Sequence, residues 1–169
     1  PVLGALERAG LREHARQWIA RRKGLTPGRL MTLYLAVRQS AAAMGMTSLG
    51  GHPQTVRPLL APMAEGAARA VHGAIGPKLR ERLRAMAAAT DNVGLFFGED
   101  IFIAFGAVLL MQGLYAENGI VMEPLHIALW GIPTAILAFA IHAWRLHRFD
   151  KRMAKAVNDE KSAEGPADD

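Results

Sequence analysis

The sequence predicts an all-α fold, a polytopic helical membrane protein with broken or re-entrant helices and amphipathic helices along its cytoplasmic side. Three observations predict it. Residues 85–144 contain no Lys or Arg over 60 positions, and carry five acids, Asp91, Glu99, Asp100, Glu117 and Glu123. Basic residues gather on either side of that stretch, in 1–29, 78–84 and 145–155. Short basic segments beside long uncharged runs are the positive-inside pattern of an inner-membrane protein. Third, two otherwise apolar regions, 47–55 and 90–100, are interrupted by Gly, Pro or carboxylates.

The elements follow in chain order. Residues 1–23 alternate Leu3, Leu6, Leu11, Trp18 and Ile19 with Arg8, Arg12, Arg16, Arg21 and Arg22, the pattern of an amphipathic helix lying on the cytoplasmic face. Thr26 and Pro27 offer an N-cap and a first helical residue for a moderately apolar helix over 30–46. The segment 47–54 breaks that helix, and a second apolar stretch, 56–70, carries Pro58 and Pro62. Gly76-Pro77 opens a second basic amphipathic helix with Leu79, Leu83 and Met86 on one face. Residues 101–116 form an uncharged span that can extend back through 93–98. The acidic connection 117–123, with Asn118-Gly119 as its turn, leads to the 21 uncharged residues of 124–144, the length of a bilayer crossing. Pro124 suits a first turn, whereas Pro133 in mid-span predicts a kink. Trp144 followed by Arg145, Arg148, Lys151, Arg152 and Lys155 is an interfacial anchor that sets the C-terminus in the cytoplasm. The domain so defined is 1–155, and 156–169, polar and acidic, reads as a disordered tail.

Composition excludes several classes. The chain has no Cys, which removes disulfide scaffolds, thiol catalysis and thiolate metal sites. Its net charge of +5 does not imply nucleic acid, because the basic residues flank apolar segments instead of forming one face with interleaved aromatics. The six His show no paired metal spacing. There is no nucleotide-binding fingerprint and no G-x-S-x-G elbow, so no catalytic residues and no enzyme activity are expected.

The two interrupted regions carry the candidate chemistry. In Thr47-Ser48-Leu49-Gly50-Gly51-His52-Pro53-Gln54-Thr55, two Gly and a Pro do not continue a helix. Irregular backbone at membrane depth must line a cavity or be buried in protein. Its free N–H groups, the Thr47, Ser48, Gln54 and Thr55 side chains, His52 and the glycines 50 and 51 form a candidate substrate site. A helix starting near Pro53 and Arg57 one turn on both favour a carboxylate. In Thr90-Asp91-Asn92-Val93-Gly94-Leu95-Phe96-Phe97-Gly98-Glu99-Asp100, Thr90, Asp91, Asn92 and loop carbonyls offer hard oxygen ligands suited to Na⁺. Glu99 and Asp100 are either a proton relay or a flank at the water boundary. Ionisable groups within membrane segments mark ion or substrate paths, and paired interrupted segments are the sequence signature of a secondary transporter's site.

The same segments carry a resemblance. T47-S-L-G-G-H-P-Q-T-V-R-P-L-L-A-P-M63 and A88-A-T-D-N-V-G-L-F-F-G-E-D-I-F102, with E7-R-A-G-L-R-E13 and E123-P-L-H-I-A-L-W-G-I-P-T134, closely resemble a family of bacterial membrane proteins of formerly unknown function, described as one subunit of a two-subunit 5-oxoproline (pyroglutamate) transporter. The likeness spans roughly residues 1–150. It implies further hydrophobic sequence before the position of Pro1, and by analogy a fold similar to dicarboxylate carriers. The expectation is then half of a heteromeric secondary transporter in the bacterial inner membrane. It would import a small carboxylate, 5-oxoproline, with Na⁺ or H⁺ as coupling ion. Gln54 and Asn92 would pair with the lactam amide and Asp91 would couple the cation. Its partners would be a second membrane subunit and the lipid bilayer. The alternative is a non-transporting subunit that scaffolds a partner permease.

Overall fold

The computed structural model describes residues 24–44, 59–102 and 105–163, and the expected helix over 1–23 and break at 47–55 lie outside them. Among the described residues the fold is all helical, with α1 Pro27–Ala43, α2 Ala61–His72, α3 Pro77–Phe102, α4 Phe105–Glu117, α5 Pro124–Leu129 and α6 Gly131–Ala163.

Local chemistry sets the boundaries. Thr26 is extended and its Oγ1 accepts from Arg29 N–H at 3.3 Å, with Pro27 next, as the sequence implies for the start of α1. A second cap comes from far along the chain: Gly28 N–H donates to Asp150 Oδ1 of α6 at 2.8 Å, a carboxylate on the positive end of α1. A Cβ on Gly28 would stand 2.6 Å from the Leu146 carbonyl oxygen, so α6 can approach this closely only at glycine. α4 ends at the expected Asn118-Gly119 turn. Gly119 has φ of 74°, and Ile120 N–H reaches Tyr115 O at 2.9 Å while Gly119 N–H reaches Ala116 O at 3.0 Å. That pair of bonds is a Schellman closure, for which the left-handed residue is normally glycine.

α1 and α3 run parallel, and α6 runs antiparallel to both. Along the first pair Met31 meets Thr90, Arg38 meets Asp91 and Gly94, and Ala42 meets Gly98. Along α6, Ala135 meets Gln39, His142 meets Thr90, and Leu146 and Asp150 meet Gly28. α2 packs against both parallel helices. The core is Leu30 and Met31 of α1, Leu60 with the alanines of α2, Leu83 and Ala87 of α3, and Leu146 and Met153 of α6.

Three expectations are corrected, and the kink expected from Pro133 is found. Residues 90–100 are not a break: α3 is continuous from Pro77 to Phe102. Its glycines persist inside a helix because α1 lies against them. A Cβ on Gly98 would come within 2.5 Å of Ala42 Cβ and 2.6 Å of the Gln39 carbonyl oxygen, and one on Gly94 within 3.1 Å of Arg38 Cγ. Gly94 and Gly98 form a G-x-x-x-G spacing, which brings helix backbones together. The basic amphipathic helix at 77–86 is the first half of this same α3. Its apolar face, with Leu83 fully buried, packs into the core instead of lying on a membrane surface. The break near Pro133 falls at Trp130, between α5 and α6, because Pro133 denies the Leu129 carbonyl its i+4 donor and crowds it. Finally, α6 runs to Ala163, well into the segment expected to be a disordered tail, because Val157 extends the buried stripe of Leu146 and Met153.

The outward faces are apolar. Leu33 and Val37 of α1, Leu109, Leu110 and Leu114 of α4, and Ile136, Leu137 and Ile141 of α6 are all exposed. Among the described residues one helical stretch, Pro124–Asp159, is long and apolar enough to cross a membrane, and only 6% of its most apolar 18 residues is buried.

The α1–α3 seam generates a test. Gly98→Ala is expected to destabilise the chain by about 1–3 kcal/mol through forced separation of the helices. Gly113→Ala, in α4 with open space around it, is expected to be neutral or to stabilise by up to about 1 kcal/mol. Thermal unfolding of the two purified variants checks both signs.

Candidate functional site

The three long helices meet around a buried polar cluster. Tyr34 and Arg38 stand one turn apart on α1, Thr90 and Asp91 are consecutive on α3, and His142 comes from α6. Asp91 is fully buried and Arg38 is 5% exposed, with Arg38 Nε donating to Asp91 Oδ1 at 3.0 Å. Tyr34 donates its hydroxyl to the same carboxylate oxygen. Thr90 Oγ1 donates to the Met86 carbonyl at 2.8 Å and lies 3.0 Å from His142 Nε2. With that hydroxyl proton spent on Met86, the Thr90 oxygen is left to accept, which calls for a proton on His142 Nε2. Next to Arg38, Gln39 Nε2 donates to the Ala135 carbonyl at 2.8 Å, so α1 is fastened to α3 by charge and to α6 by an amide.

Helical geometry explains the convergence. Tyr34 and Arg38 are four residues apart, so both project from one side of α1. Thr90 and Asp91 straddle the buried face of α3 and divide their partners, with Thr90 serving α6 and Asp91 serving α1. Gly94, one turn beyond, is the glycine against which the Arg38 stem lies. The absence of a Cβ there lets a long side chain run flat between two helices and still reach the carboxylate.

Three buried atoms of the cluster have no hydrogen-bond partner among the described residues: Arg38 Nη2, Gln39 Oε1 and His142 Nδ1. A buried polar group left unmatched costs about 1–3 kcal/mol, more where it is charged. A second buried charge group lies between α2 and α3, where Glu65, 3% exposed, is held by Arg84 Nε at 3.0 Å and Arg80 Nε at 3.6 Å.

The sequence-derived candidates fare differently. Thr90 and Asp91 lie at the centre of the cluster. Asn92 is exposed and does not share it, because the next residue along a helix is turned about 100° away. Glu99 is half-buried, and the Asp100 side chain lies outside the described residues. Thr47, Ser48, Gly50, Gly51, His52, Gln54, Thr55 and Arg57 also lie outside the described residues. The proposed loop carbonyls beside Asp91 are not available, since in a continuous α3 they serve the helix's own hydrogen bonds. Among the described residues no three His, Asp or Glu side chains converge to hold a metal ion.

Tyr34 and Arg38 as partners of Asp91, Gln39 as the partner of Ala135 and His142 as the partner of Thr90 are not singled out by the sequence reading. One signal was present: Arg38 is the lone formal charge in the apolar stretch 30–46, and a lone charge in such a helix demands a counter-charge. Position 91 carries the first acid to follow it after Glu65 and Glu81.

Removing one partner of a buried ion pair leaves the other uncompensated, which typically costs 3–5 kcal/mol. Arg38→Met is therefore expected to destabilise the chain by about 3–5 kcal/mol. The double variant Arg38→Met/Asp91→Leu is expected to recover most of that loss. Melting temperatures of the wild type, the two single variants and the double variant give the coupling energy directly.

No curated protein and no solved structure matches the chain significantly. The family model described as "Protein of unknown function (DUF969)" matches residues 1–154, nearly the whole chain, and the protein belongs to that family.

Proposed function

We propose that the protein is one subunit of a heteromeric secondary transporter in the bacterial cytoplasmic membrane, carrying a small carboxylate coupled to H⁺ or Na⁺, with 5-oxoproline as the substrate. The observation that carries this reading is the Asp91–Arg38–Tyr34 cluster, a fully buried carboxylate and guanidinium inside a helical bundle whose outer faces are apolar. Ionisable groups kept at such depth are costly and serve ion or substrate paths.

The charge distribution supports a multi-pass arrangement. The parallel α1 and α3 begin, and α6 passes, at one end of the bundle, where Arg29, Lys78, Arg80, Arg82, Arg84, Arg145, Arg148 and Lys151 are found. Residues 85–144, which reach the opposite end, hold no Lys or Arg. By the positive-inside rule the first end faces the cytoplasm. Trp144 is half-exposed at the border of the apolar run, with the Arg148 guanidinium 4.3 Å from its ring centroid, a pairing suited to the membrane interface. Asp91 lies seven residues beyond Arg84, about 10 Å further along the helix axis.

In this reading the cluster is the coupling switch. Ionised Asp91 holds Arg38 and Tyr34, fixing α1 on α3. A proton or Na⁺ taken up at Asp91 cancels its charge and loosens Arg38, whose Nη2 has no partner among the described residues. The guanidinium fork then offers two donors to the substrate carboxylate.

A second reading has a specific observation in its favour: Arg38 and Tyr34 already neutralise Asp91 within the chain, as a purely structural clamp would. A scaffolding subunit would need nothing more. Uptake of labelled 5-oxoproline separates the two in cells lacking their own carriers, with this chain and its partner subunit expressed singly and together. Uptake is expected only with both, and to fall when the ion gradient is collapsed. Asp91→Asn is expected to abolish gradient-driven uptake while the two subunits still co-purify, and normal uptake by that variant would sink the coupling role. The swap Arg38→Asp/Asp91→Arg is expected to restore the melting temperature without restoring uptake. Recovery of both would assign the pair to scaffolding.

A further inference from the structure

A groove of about 450 Å³ opens between the first half of α3 and the second half of α6, on a side of the bundle that the buried cluster does not use. Its floor is apolar, formed chiefly by Met86, Phe149 and Met153. Three arginines rim it, Arg82 from α3 and Arg145 and Arg152 from α6, and no acidic side chain lines it. Arg145 and Arg152 are seven residues apart on one face of α6, about 10 Å along the axis, with Phe149 between them. None of the three has an ion pair or hydrogen bond among the described residues, whereas the neighbouring Arg80 and Arg84 are both engaged by Glu65.

We infer that this groove binds an anionic phospholipid headgroup, its phosphate held by Arg82, Arg145 and Arg152. The inference rests on the membrane reading of α6. Two features commit the site to lipid over a free anion. The groove begins at Arg145, the residue after the interfacial Trp144, and Met86, one turn before Thr90 on α3, lines the end of it nearer the apolar run. That is the depth at which a headgroup of the cytoplasmic leaflet stands, and basic pockets between helices on that side are suited to anionic headgroups. A guanidinium meets phosphate with two parallel donors.

The chain purified in phosphatidylcholine-containing detergent micelles provides the test. Added phosphatidylglycerol is expected to raise Tm by about 5–10 °C near a hundredfold excess over Kd. Further phosphatidylcholine, inorganic phosphate and a polyglutamate peptide are each expected to leave it unchanged. Arg82→Gln/Arg145→Gln/Arg152→Gln is expected to lose the shift. The variant Arg148→Gln/Lys151→Gln/Lys155→Gln, which removes the same charge outside the groove, is expected to keep it. An equal shift with phosphatidylcholine, a shift with phosphate alone, stabilisation by the acidic peptide, or equal loss in both triple variants overturns the proposal. Should the first triple variant fail to fold, native mass spectrometry of the wild type decides. Retained lipid enriched in phosphatidylglycerol over the bulk membrane supports the site, and retained lipid of bulk composition overturns it. Alkaline washing separates this failure from that of the membrane reading: a chain released to the supernatant refutes the span itself, and a chain that stays refutes only the groove.

Discussion

The pairing of Arg38 with Asp91 constrains the rest of the bundle. Neither charge can be taken out of water alone, since the desolvation penalty is several kcal/mol per ion even after relaxation. Once both are buried, α1 must lie close enough to α3 for a guanidinium stem to fit between them, and Gly94 and Gly98 provide that approach. Close approach in turn fixes the register, so Met31 reaches Thr90 and Ala42 reaches Gly98. α6 is then fastened to an already aligned pair by three polar contacts at successive depths: Asp150 on the α1 N-terminus, His142 on Thr90, and the Ala135 carbonyl on Gln39. Each joins a side chain of one helix to another helix, so a slip of one residue along any axis would unmake all of them together. In lipid, where hydrophobic burial gives helices little reason to associate, small-residue seams and interhelical hydrogen bonds carry that task.

The two buried acids divide the bundle into a shell and a centre. Glu65 is met by Arg80 and Arg84, both partly exposed, at the basic end beside α2. Its pairing ties the short crossing helix to the start of α3 and lies within reach of water. Asp91 is met by a buried arginine and a tyrosine well inside. The arginines of the first group stay partly exposed, whereas both members of the second are buried and can part only if something replaces the lost charge. A coupling ion does that by definition, which is why the inner pair carries the functional reading and the outer one does not.

Much of this was legible in the sequence. The apolar helical stretch from Pro124, the caps at Thr26-Pro27 and the turn at Asn118-Gly119 all follow from local rules that packing does not overturn. Thr90 and Asp91, which stand out in the sequence for their chemistry beside an apolar run, lie at the centre of the buried cluster. Their partners were harder to name, because Tyr34, Arg38 and His142 approach from 52 or more positions away in the chain and only the helix register brings them together. The reading of 90–100 as a break failed on Gly94 and Gly98. Glycine weakens a helix in isolation by about 1 kcal/mol, but it also marks a helix that another helix must touch, and the spacing of four between the two was the sign of the second meaning. The tail failed in the opposite sense: 156–163 is polar enough to seem disordered, yet a single Val157 in register with Met153 keeps it helical.

The continuity of α3 changes where the chemistry has to sit. A broken helix presents free carbonyls and N–H groups, and in such a segment the backbone binds the ion while side chains only tune it. An unbroken helix has spent its backbone on itself, so within the proposed transporter an ion or proton received at Asp91 would be received by side chains, the carboxylate and the Tyr34 hydroxyl among them. A hydroxyl can either donate or accept, so the tyrosine can turn its O–H away when Asp91 is protonated and accept the carboxyl proton in its place.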